Sequence, residues 1–382
     1  MEHKNKLSIF LPLSLRFYGG GEVIAINISK GLRKYGLDTI IYENESFNGP
    51  FRVDDDFLAQ QGIVYKKIKY EKLNKLELLF LQQYPFWKTL DNSPVNLIFI
   101  YRPPSFGQIK ELNKSKSKKI FLLHGIGLEK LRFTNPVIIA YQLYMRFQLL
   151  FIKKNFLRGG NYIQVLNSFQ REILLRYGYP QHRIFLIGNG INTNNYYVAR
   201  NDSQFIVLFV GRLENTQKGI KRLIKVVKYV KKKIPEITFT IIGSGKFSSE
   251  MEKYDFINYL GFVTEERKRQ ELANANLFLV TSNLEPYHLA VLEALFSGLP
   301  VVSTPVAGPS EIIKISEDFG RSVSFNSKAL GDAIVDYYNQ WKSYPKGYFE
   351  RKKARSLKAK SVFSMEIMVE NYAKMIFNVI KD

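Results

Sequence analysis

The chain has 382 residues, of which 46% are hydrophobic and 14% aromatic, and it carries a formal net charge of +22. This length exceeds one typical hydrophobic core and the composition excludes a disordered chain, so two globular domains are expected. With no cysteine and only four histidines, the sequence excludes a disulfide framework and a thiolate nucleophile or metal site, and it fits a reducing compartment.

The positive charge is concentrated in the first half of the chain. Residues 1–192 carry 28 Lys and Arg against 14 Asp and Glu, a net charge of +14. This balance favours an anionic partner, either an acidic membrane surface or a phosphorylated ligand, with solvated lysines on a basic protein as an equal alternative. No RNA- or DNA-binding module is recognisable, so no nucleic-acid partner is expected.

The first predicted elements are a strand, a glycine turn and a helix. Residues 7–11 are apolar, the glycine triplet 19–21 follows, and residues 23–35 have apolar side chains on one helical face. This order opens a Rossmann-type unit, but the glycines lack the G-x-G-x-x-G spacing of dinucleotide enzymes. Pro12 and Arg16 interrupt the apolar stretch and no small-residue cleavage site follows, so a secretory signal is not predicted.

Further short strands are predicted at residues 39–42, 97–101, 120–123 and 162–166. Their alternation with helical stretches predicts a parallel sheet covered by helices. His124 directly follows one strand, where the residues of an open α/β sheet line the ligand crevice, although a lone histidine is often structural. Ser168 is predicted to be the N-cap of the helix after the last of these strands.

Two other segments of the first half have alternative interpretations. The aspartates at 54–56 suggest a metal-binding motif, but no strand end adjoins them, and a solvated acidic loop is favoured. Residues 135–154 are apolar and aromatic but contain Gln142, Arg146 and Gln148, so no membrane span is predicted. We expect most of this segment to form a core helix. A basic, aromatic edge that contacts a membrane is the less favoured addition to this prediction.

The second domain begins after a polar linker at residues 192–203. A strand is predicted at 205–210, then Gly211-Arg212, then Lys218-Gly219 before a helix that ends at Lys233. Fixed cations can stabilise negative charge on a ligand without a metal. The alternative is two solvated basic residues near a helix start. A strand at 237–242 with glycines at 243 and 245, and the segment 259–263, follow.

The most informative stretch is residues 278–311. Glu285 follows an apolar strand, and Glu293 comes eight positions later in a helical pattern. Leu289, Leu292 and Phe296 form a core-facing stripe, whereas another face carries Ala290, Glu293, Ala294 and Ser297. Gly298 is predicted to end this helix. A strand at 300–303 and a further helix from 307 follow, and the N–H groups of that helix suit an anion.

The chain ends in helical segments. Residues 314–360 are basic and helical, with a break at 341–345, and residues 363–380 form a final amphipathic helix.

Taken together, these motifs resemble the retaining glycosyltransferases of family 4. The resemblance lies in the two glutamates with Gly-Leu-Pro-Val-Val and Gly-x-x-Glu after them, in Gly-Arg-Leu…Lys-Gly from 211, and in Gly-Gly-x-Glu at 19–22. It spans nearly the whole chain and is specific from 209 to 311. It implies the α/β GT-B fold, in which two Rossmann-like doubly wound domains face each other across a cleft. The expected boundaries are an acceptor domain at 1–190, a nucleotide-sugar domain at 204–362, and a C-terminal helix at 363–382 that packs on the first domain.

The resemblance implies a retaining, metal-independent hexosyltransferase that needs no cofactor. Its donor would be a UDP- or GDP-sugar, and its acceptor a polysaccharide, glycolipid or other glycan intermediate. The implied catalytic residues are Glu285, His124, Arg212 and Lys218. The implied donor-binding residues are Gly20, Gly21, Arg212, Lys218, Gly243, Gly245, Leu260, Val263, Glu285, Tyr287, His288, Leu289, Ala290 and Glu293. Glu285 would meet the transferred sugar and Glu293 the ribose.

Two positions depart from the family pattern. Asn192 replaces the usual Asp at the domain junction, and His288 stands where the family usually has glycine. His288 either donates to the sugar or phosphate or reshapes the pocket. Rival hypotheses are a GT-B nucleotide-sugar epimerase and a non-catalytic protein that binds membrane surfaces through its charge. The expected location is the cytoplasm, and peripheral attachment to the cytoplasmic face of the membrane is a further option.

Overall fold

The computed structural model describes residues 6–382 except 48, 50, 71, 77–82, 85–88, 91–92, 103, 105 and 125–135. The chain forms two compact units, the first made of Met1–Gly190 with Met365–Asp382 and the second of Ile191–Ser364. None of the described helices is both long enough and apolar enough to cross a membrane.

The first unit alternates strands and helices. In chain order its elements are β1 (Lys6–Leu11), α1 (Gly20–Leu32), β2 (Asp38–Asn44), α2 (Asp55–Gln60), β3 (Tyr65–Ile68), β4 (Val95–Phe99), α3 (Phe106–Leu112), β5 (Lys118–Leu122), α4 (Pro136–Arg158), β6 (Tyr162–Val165), α5 (Ser168–Arg176) and β7 (Ile184–Leu186). The strands pair in parallel in the order β3-β2-β1-β4-β5-β6-β7. The central strands are buried along their length, which explains their continuous apolar runs.

The second unit repeats this plan. Its elements are β8 (Ile206–Val210), α6 (Asn215–Lys218), α7 (Ile220–Lys233), β9 (Thr238–Ile242), α8 (Ser248–Met251), β10 (Ile257–Gly261), α9 (Glu265–Asn274), β11 (Leu277–Val280), α10 (Leu289–Phe296), β12 (Val301–Ser303), α11 (Ala307–Lys314), β13 (Gly320–Ser322), α12 (Ser327–Ser343) and α13 (Pro345–Phe363). The strands again pair in parallel, in the order β10-β9-β8-β11-β12-β13. This is the doubly wound order of nucleotide-binding folds.

The last helix, α14 (Met365–Lys381), belongs to the first unit. It lies so close to α1 that a Cβ on Gly31 would come within 2.4 Å of the Val369 side chain. Glycine at position 31 therefore permits the close approach of the two helices. Tyr372 of α14 is fully buried in the same unit.

The polar segment at 191–203 is fixed to the second unit. The chain enters and leaves this unit side by side, since Ile191 and Ser364 form an isolated β-bridge. The Lys352 ammonium donates to the Ala199 carbonyl, and the Trp341 indole donates to the Asn201 carbonyl. These bonds satisfy backbone groups that a connector of irregular structure would otherwise leave unpaired.

Several predicted boundaries are wrong for local reasons. Gly20 and Gly21 are the first two residues of α1 rather than a turn before it, because Gly19 is the N-cap and its N–H donates to the Glu22 carboxylate. The aspartates at 54–56 do not form a loop. Asp54 caps α2 by accepting from the Phe57 N–H, and Asp55 and Asp56 lie in its first turn, where the helix dipole favours negative charge.

Other differences come from weak sequence signals. Asn167, not Ser168, caps α5 by accepting from the Gln170 N–H. Strand β3 is a half-exposed edge strand with two lysines, and β13 has three residues, so neither shows a hydrophobic pattern. Phe363 ends α13 instead of opening the last helix. Predicted strands within the central sheets agree with the structure to within about two residues, as β11 at Leu277–Val280 shows.

Candidate functional site

Strand order places the candidate site of the second unit at one edge of its sheet. The order reverses between β8 and β11, which are hydrogen-bonded neighbours. Ligands of doubly wound sheets bind outside the carboxyl ends of the strands at such a switch point. The chain leaves β8 at Val210 toward Arg212 and Lys218, and it leaves β11 at Val280 toward Glu285. The structure thus brings together three of the predicted catalytic residues.

Lys218 and Glu285 form a buried ion pair. Lys218 is the last residue of α6, a short helix that Glu214 caps by accepting from the backbone N–H groups of Gln217 and Lys218. The Lys218 Nζ lies 2.5 Å from Glu285 Oε2, and the side chains of Lys218 and Glu285 are 10% and 8% exposed. Burial alone would raise the pKa of Glu285, but the surrounding charges and hydrogen bonds, to which Lys218 contributes most, together outweigh burial, and the pKa lies below its usual value. Glu285 is therefore ionised.

Arg212 lies at the exposed rim of this pair. Its Nη2 donates to Gln217 Oε1 at 2.5 Å, and its charge also lowers the pKa of Glu285. The site thus contains two fixed cations and one carboxylate. No group of three His, Cys, Asp or Glu suited to a metal ion occurs among the described residues.

His288 has an unusual backbone conformation. Its φ of 90° lies in the left-handed region that favours glycine, and it is the N-cap of α10. The imidazole is 4% exposed, stands edge-on to Phe278, and places Nε2 4.0 Å from Glu285 Oε2. Burial, and then the Lys218 charge, lower its pKa to about 3, so the ring is neutral. The ring packs inward beside the ion pair, which favours the hypothesis that it shapes the site.

The loop that carries Glu285 and Tyr287 packs directly on the start of α11. A Cβ on Gly308 would lie 2.4 Å from the Tyr287 Cα, and the Gly308 N–H donates to the Glu285 carbonyl at 3.0 Å. Glycine is thus required at 308 for two backbone segments to touch. Leu289 and Ala290, predicted donor-binding residues, are the first two residues of α10 and are half-buried.

Glu293 lies one turn further along α10 and also has a lysine partner. Lys268 of α9 places Nζ 2.9 Å from Glu293 Oε1, and the two side chains are 14% and 12% exposed. The face predicted to be open around Glu293 is narrower than expected, because Ala294 and Ser297 are fully buried. Gly298, with a φ of 80°, follows the helix as predicted.

Sequence reasoning missed Lys268. The i,i+3 spacing of Glu265 and Lys268 is visible in the sequence and describes an ordinary surface pair. Only the fold reveals that the same ammonium reaches a carboxylate 25 positions further along the chain.

The predicted glycines 243 and 245 hold two loops together. A Cβ on Gly243 would lie 1.9 Å from the Gly211 carbonyl oxygen, and one on Gly245 would lie 2.6 Å from that of Leu213. The loop after β9 therefore packs backbone to backbone on the loop that carries Arg212. Leu260 and Val263, at the end of β10 and just beyond it, are half-buried, and Phe262 between them is 65% exposed.

The first unit has its own switch point, between β1 and β4. Gly20 and Gly21 lie there, with Glu22 buried behind them. The Glu22 carboxylate accepts from the Gly19 N–H and the Tyr101 hydroxyl, and burial raises its pKa. A Cβ on Gly21 would overlap the Tyr101 hydroxyl at 1.9 Å, so this glycine makes room for that bond.

His124 follows β5, as predicted. Its ring centroid lies 4.7 Å from that of Phe99 with the two ring planes tilted by 53°, and its Nε2 lies 3.4 Å from the Tyr372 hydroxyl of α14. Burial lowers the pKa of His124 to about 3, so it is neutral at physiological pH. The prediction about Gly125 and the beginning of the segment at 135–154 lie outside the described residues.

Two doubly wound parallel sheets in separate units define an α/β protein of the GT-B class, and solved structures agree. TarM of S. aureus matches with a TM-score of 0.74 at 15% identity, over 100% of this chain and 99% of that chain. HepE of Anabaena, solved in complex with UDP-glucose, matches with a TM-score of 0.71 at 17% identity, over 98% and 99%. At such identities the likeness shows the fold.

Two family profiles match most of the chain. One, described as Glycosyltransferase Family 4, covers residues 18–195, and the other, Glycosyl transferases group 1, covers residues 204–340. The chain therefore belongs to the group 1 glycosyltransferases of family 4, as the sequence motifs predicted.

Curated relatives match over parts of their length. An uncharacterized glycosyltransferase of Methanocaldococcus jannaschii is 28% identical over 173 residues, which are 40% of this chain and 44% of that protein. Sulfoquinovosyl transferase of Arabidopsis thaliana is 29% identical over 134 residues, 34% of this chain and 25% of that protein. The chain thus spans less than half the length of these two. The GtfA subunit of a peptide N-acetylglucosaminyltransferase of Streptococcus pneumoniae is 22% identical over 90% of this chain and 68% of that protein.

Proposed function

We propose that the protein is a retaining glycosyltransferase that transfers a hexosyl group from a UDP- or GDP-sugar to a glycan or lipid-linked acceptor. The observation that carries this proposal is the buried Lys218–Glu285 pair, with Arg212 at its rim, at the switch point of the second sheet. Family membership and the solved HepE complex with UDP-glucose support the nucleotide-sugar donor.

The charges at the site match those that the reaction develops. The bond between sugar C1 and the diphosphate oxygen breaks, the acceptor hydroxyl bonds to C1, and its proton leaves with the diphosphate. Negative charge grows on the leaving group, where Arg212 and Lys218 are fixed cations that need no metal. An ammonium has three N–H donors, so Lys218 can hold Glu285 and a phosphate oxygen together.

The remaining residues take roles that fit their chemistry. Glu285 is ionised and accepts hydrogen bonds from hydroxyls of the transferred sugar, whereas Glu293 accepts those of the ribose. Retention of configuration, and the contribution of His124, Gly20 and Gly21 to the donor site, rest on the family resemblance. Because His124 is neutral, its contribution is a hydrogen bond and not a charge.

A thermal-shift screen with UDP, GDP and their hexose derivatives tests the proposal. A ligand at one hundred times its dissociation constant stabilises the folded state by about 2.7 kcal/mol. We expect one nucleotide series to raise the melting temperature of the wild type. Stabilisation by neither series would contradict the proposal.

Product analysis separates the transferase from the epimerase. A transferase releases the nucleoside diphosphate as it consumes the donor, while an epimerase returns a nucleotide sugar with inverted stereochemistry. Both matching families consist of transferases by description, which disfavours the epimerase. Donor turnover that persists at high salt would also exclude a non-catalytic protein that binds through charge alone, since such binding weakens steeply with salt.

A peripheral membrane location is the second part of the proposal. Helix α4 exposes Leu143, Phe147 and Leu150 at 50%, 62% and 50%, and their spacing places them on one face. Met145 and Leu149 are buried on the opposite side, which confirms the expected core role for part of this helix. The exposed stripe and the net charge of +14 on residues 1–192 together suit an anionic bilayer on the cytoplasmic side.

Vesicle flotation tests this location. We expect recovery with anionic vesicles to exceed that with neutral ones, and to fall when Leu143, Phe147 and Leu150 are replaced by serine. The matched control is Leu357→Ser, which removes a leucine of the second unit that is 71% exposed. Equal recovery with both vesicle types would show that the surface is no membrane anchor.

A further inference from the structure

The carboxylate of Glu293 is held from two sides. Lys268 donates to Oε1 at 2.9 Å and bonds Glu265 with the same ammonium. The hydroxyl of Tyr196, a buried residue of the segment at 191–203, donates to the same carboxylate. The Tyr196 ring also packs edge-on against Phe296 of α10 at 5.9 Å. Two other parts of the second unit thus hold this side chain of α10.

Such a carboxylate still has acceptor capacity. An ionised carboxylate has about four lone-pair sites, and the bonds from Lys268 and Tyr196 use two of them. Two further donors can therefore bind, and a vicinal diol presents two hydroxyls at a suitable separation. The ribose of a nucleotide is such a diol.

We propose that Lys268 is a positioning residue for nucleotide binding, which holds the Glu293 carboxylate in the orientation that accepts both hydroxyls of a ribose. This inference rests on the proposed function, because it assumes that a nucleotide binds at α10. Lys268 would affect nucleotide affinity by acting through Glu293, and it would not contact the reacting sugar. A purely structural ion pair would contribute to stability alone.

The ionisable groups beside the Glu293 carboxylate are Lys268 and Glu265 of α9 and Tyr196 of the segment at 191–203. Lys268→Met removes the ammonium that holds Oε1, so the carboxylate would lose part of its fixed orientation. Ribose binding would then weaken, and it would weaken more than binding of a sugar that lacks one of the two hydroxyls.

The experiment measures the dissociation constants of UDP and GDP by calorimetry, and repeats the tighter one with its 2′-deoxy analogue. In the wild type we expect weaker binding of the deoxy analogue. In Lys268→Met we expect affinity for the ribonucleotide to fall about tenfold or more, as for a lost charged hydrogen bond. The preference for the ribonucleotide over the deoxy analogue should shrink.

Two further variants keep the inference falsifiable. Lys268→Arg retains the cation and should restore most of the affinity, even if Lys268→Met lowers the melting temperature. Lys253→Met removes an exposed lysine of an i,i+3 pair with Glu250 and should change nothing. Wild-type affinity and an unchanged preference for the ribonucleotide in a less stable Lys268→Met would reduce Lys268 to a structural role and leave the proposed function intact. A wild type that binds neither diphosphate overturns both.

Discussion

The Lys218 ammonium lies 2.5 Å from the Glu285 carboxylate, and both side chains are about nine-tenths buried. The pair joins the loop after β8 to the loop after β11, which are the two strands at the switch point of the sheet. Removal of one partner of a buried ion pair strongly destabilises the folded protein, whereas replacement of both partners by apolar residues is often neutral. Stability and catalysis can therefore be separated at this site.

We predict that Glu285→Ala lowers kcat by about 10²–10³, as for a lost electrostatic stabiliser, and that it also lowers the free energy of unfolding by about 3–5 kcal/mol. The double variant Lys218→Met/Glu285→Leu should regain most of that stability and remain inactive. Urea unfolding and donor turnover of Glu285→Ala and of the double variant test this. A stable, active double variant would remove the pair from the mechanism.

We predict a different kinetic effect for Glu293→Ala. Contacts with the ribose act alike in the ground state and the transition state, so their loss raises KM for the donor and leaves kcat nearly unchanged. Donor titrations of Glu293→Ala and Glu285→Ala side by side measure the contrast. If Glu293→Ala left KM and kcat both unchanged, the nucleotide would not lie on α10.

Much of the second unit was predictable because its signals are local. The strand at Leu277–Val280 is a continuous apolar run, and Gly298 stops α10 with a left-handed φ that the residue type permits. The partners of Glu285 and Glu293 were not predictable in the same way. Lys218 lies 67 positions from Glu285, and only the parallel pairing of β8 with β11 brings them together.

The inward packing of His288 also required the fold. The family resemblance indicated that a histidine stands where glycine is usual, but not where its ring points. The ring turns away from solvent because Phe278 of β11 offers it a buried aromatic edge. Likewise, the contact of Tyr372 with His124 depends on the return of α14 to the first unit.

We predict that position 288 favours glycine over alanine. A left-handed φ is strained for any residue with a Cβ, and glycine is also the better N-cap residue of the two. Both His288→Ala and His288→Gly lose the imidazole, so their difference reports the backbone effect. We expect the glycine variant to be more stable by about 1 kcal/mol in urea unfolding. An alanine variant of equal or greater stability would show that the chain does not hold this φ.

We predict that stability falls as the pH is lowered from 7 to 5. His124 and His288 have pKa values of about 3 in the folded protein, whereas an unfolded histidine titrates near 6.5. Between these values the unfolded chain binds a proton at each site and the folded chain does not, so acid favours unfolding. The slope is at most about 1.4 kcal/mol per pH unit for each histidine.

The dependence is checked by melting temperatures at several pH values. His288→Asn should reduce the slope for the second unit, and the exposed His182 provides the matched control, since His182→Gln should leave the slope as it is. An unchanged slope in His288→Asn would mean that His288 does not contribute to the pH dependence between pH 5 and 7.

We predict, finally, that Lys352→Met destabilises the second unit. The Lys352 side chain is almost fully buried, and its ammonium donates to the carbonyls of Ala199, Ala273 and Ala275. These bonds tie α13 to the segment that enters the unit and to the end of α9. Methionine fills a similar volume but leaves three buried carbonyls without this donor, each at a cost of about 1 kcal/mol or more. We therefore expect the free energy of unfolding in urea to fall by about 3 kcal/mol.

The adjacent Lys353 is the control, because it is exposed and paired with Glu350 on the same helix. The free energy of unfolding of Lys353→Met should stay within about 0.5 kcal/mol of the wild type. Equal stability of the two variants would mean that Lys352 does not anchor the entry segment.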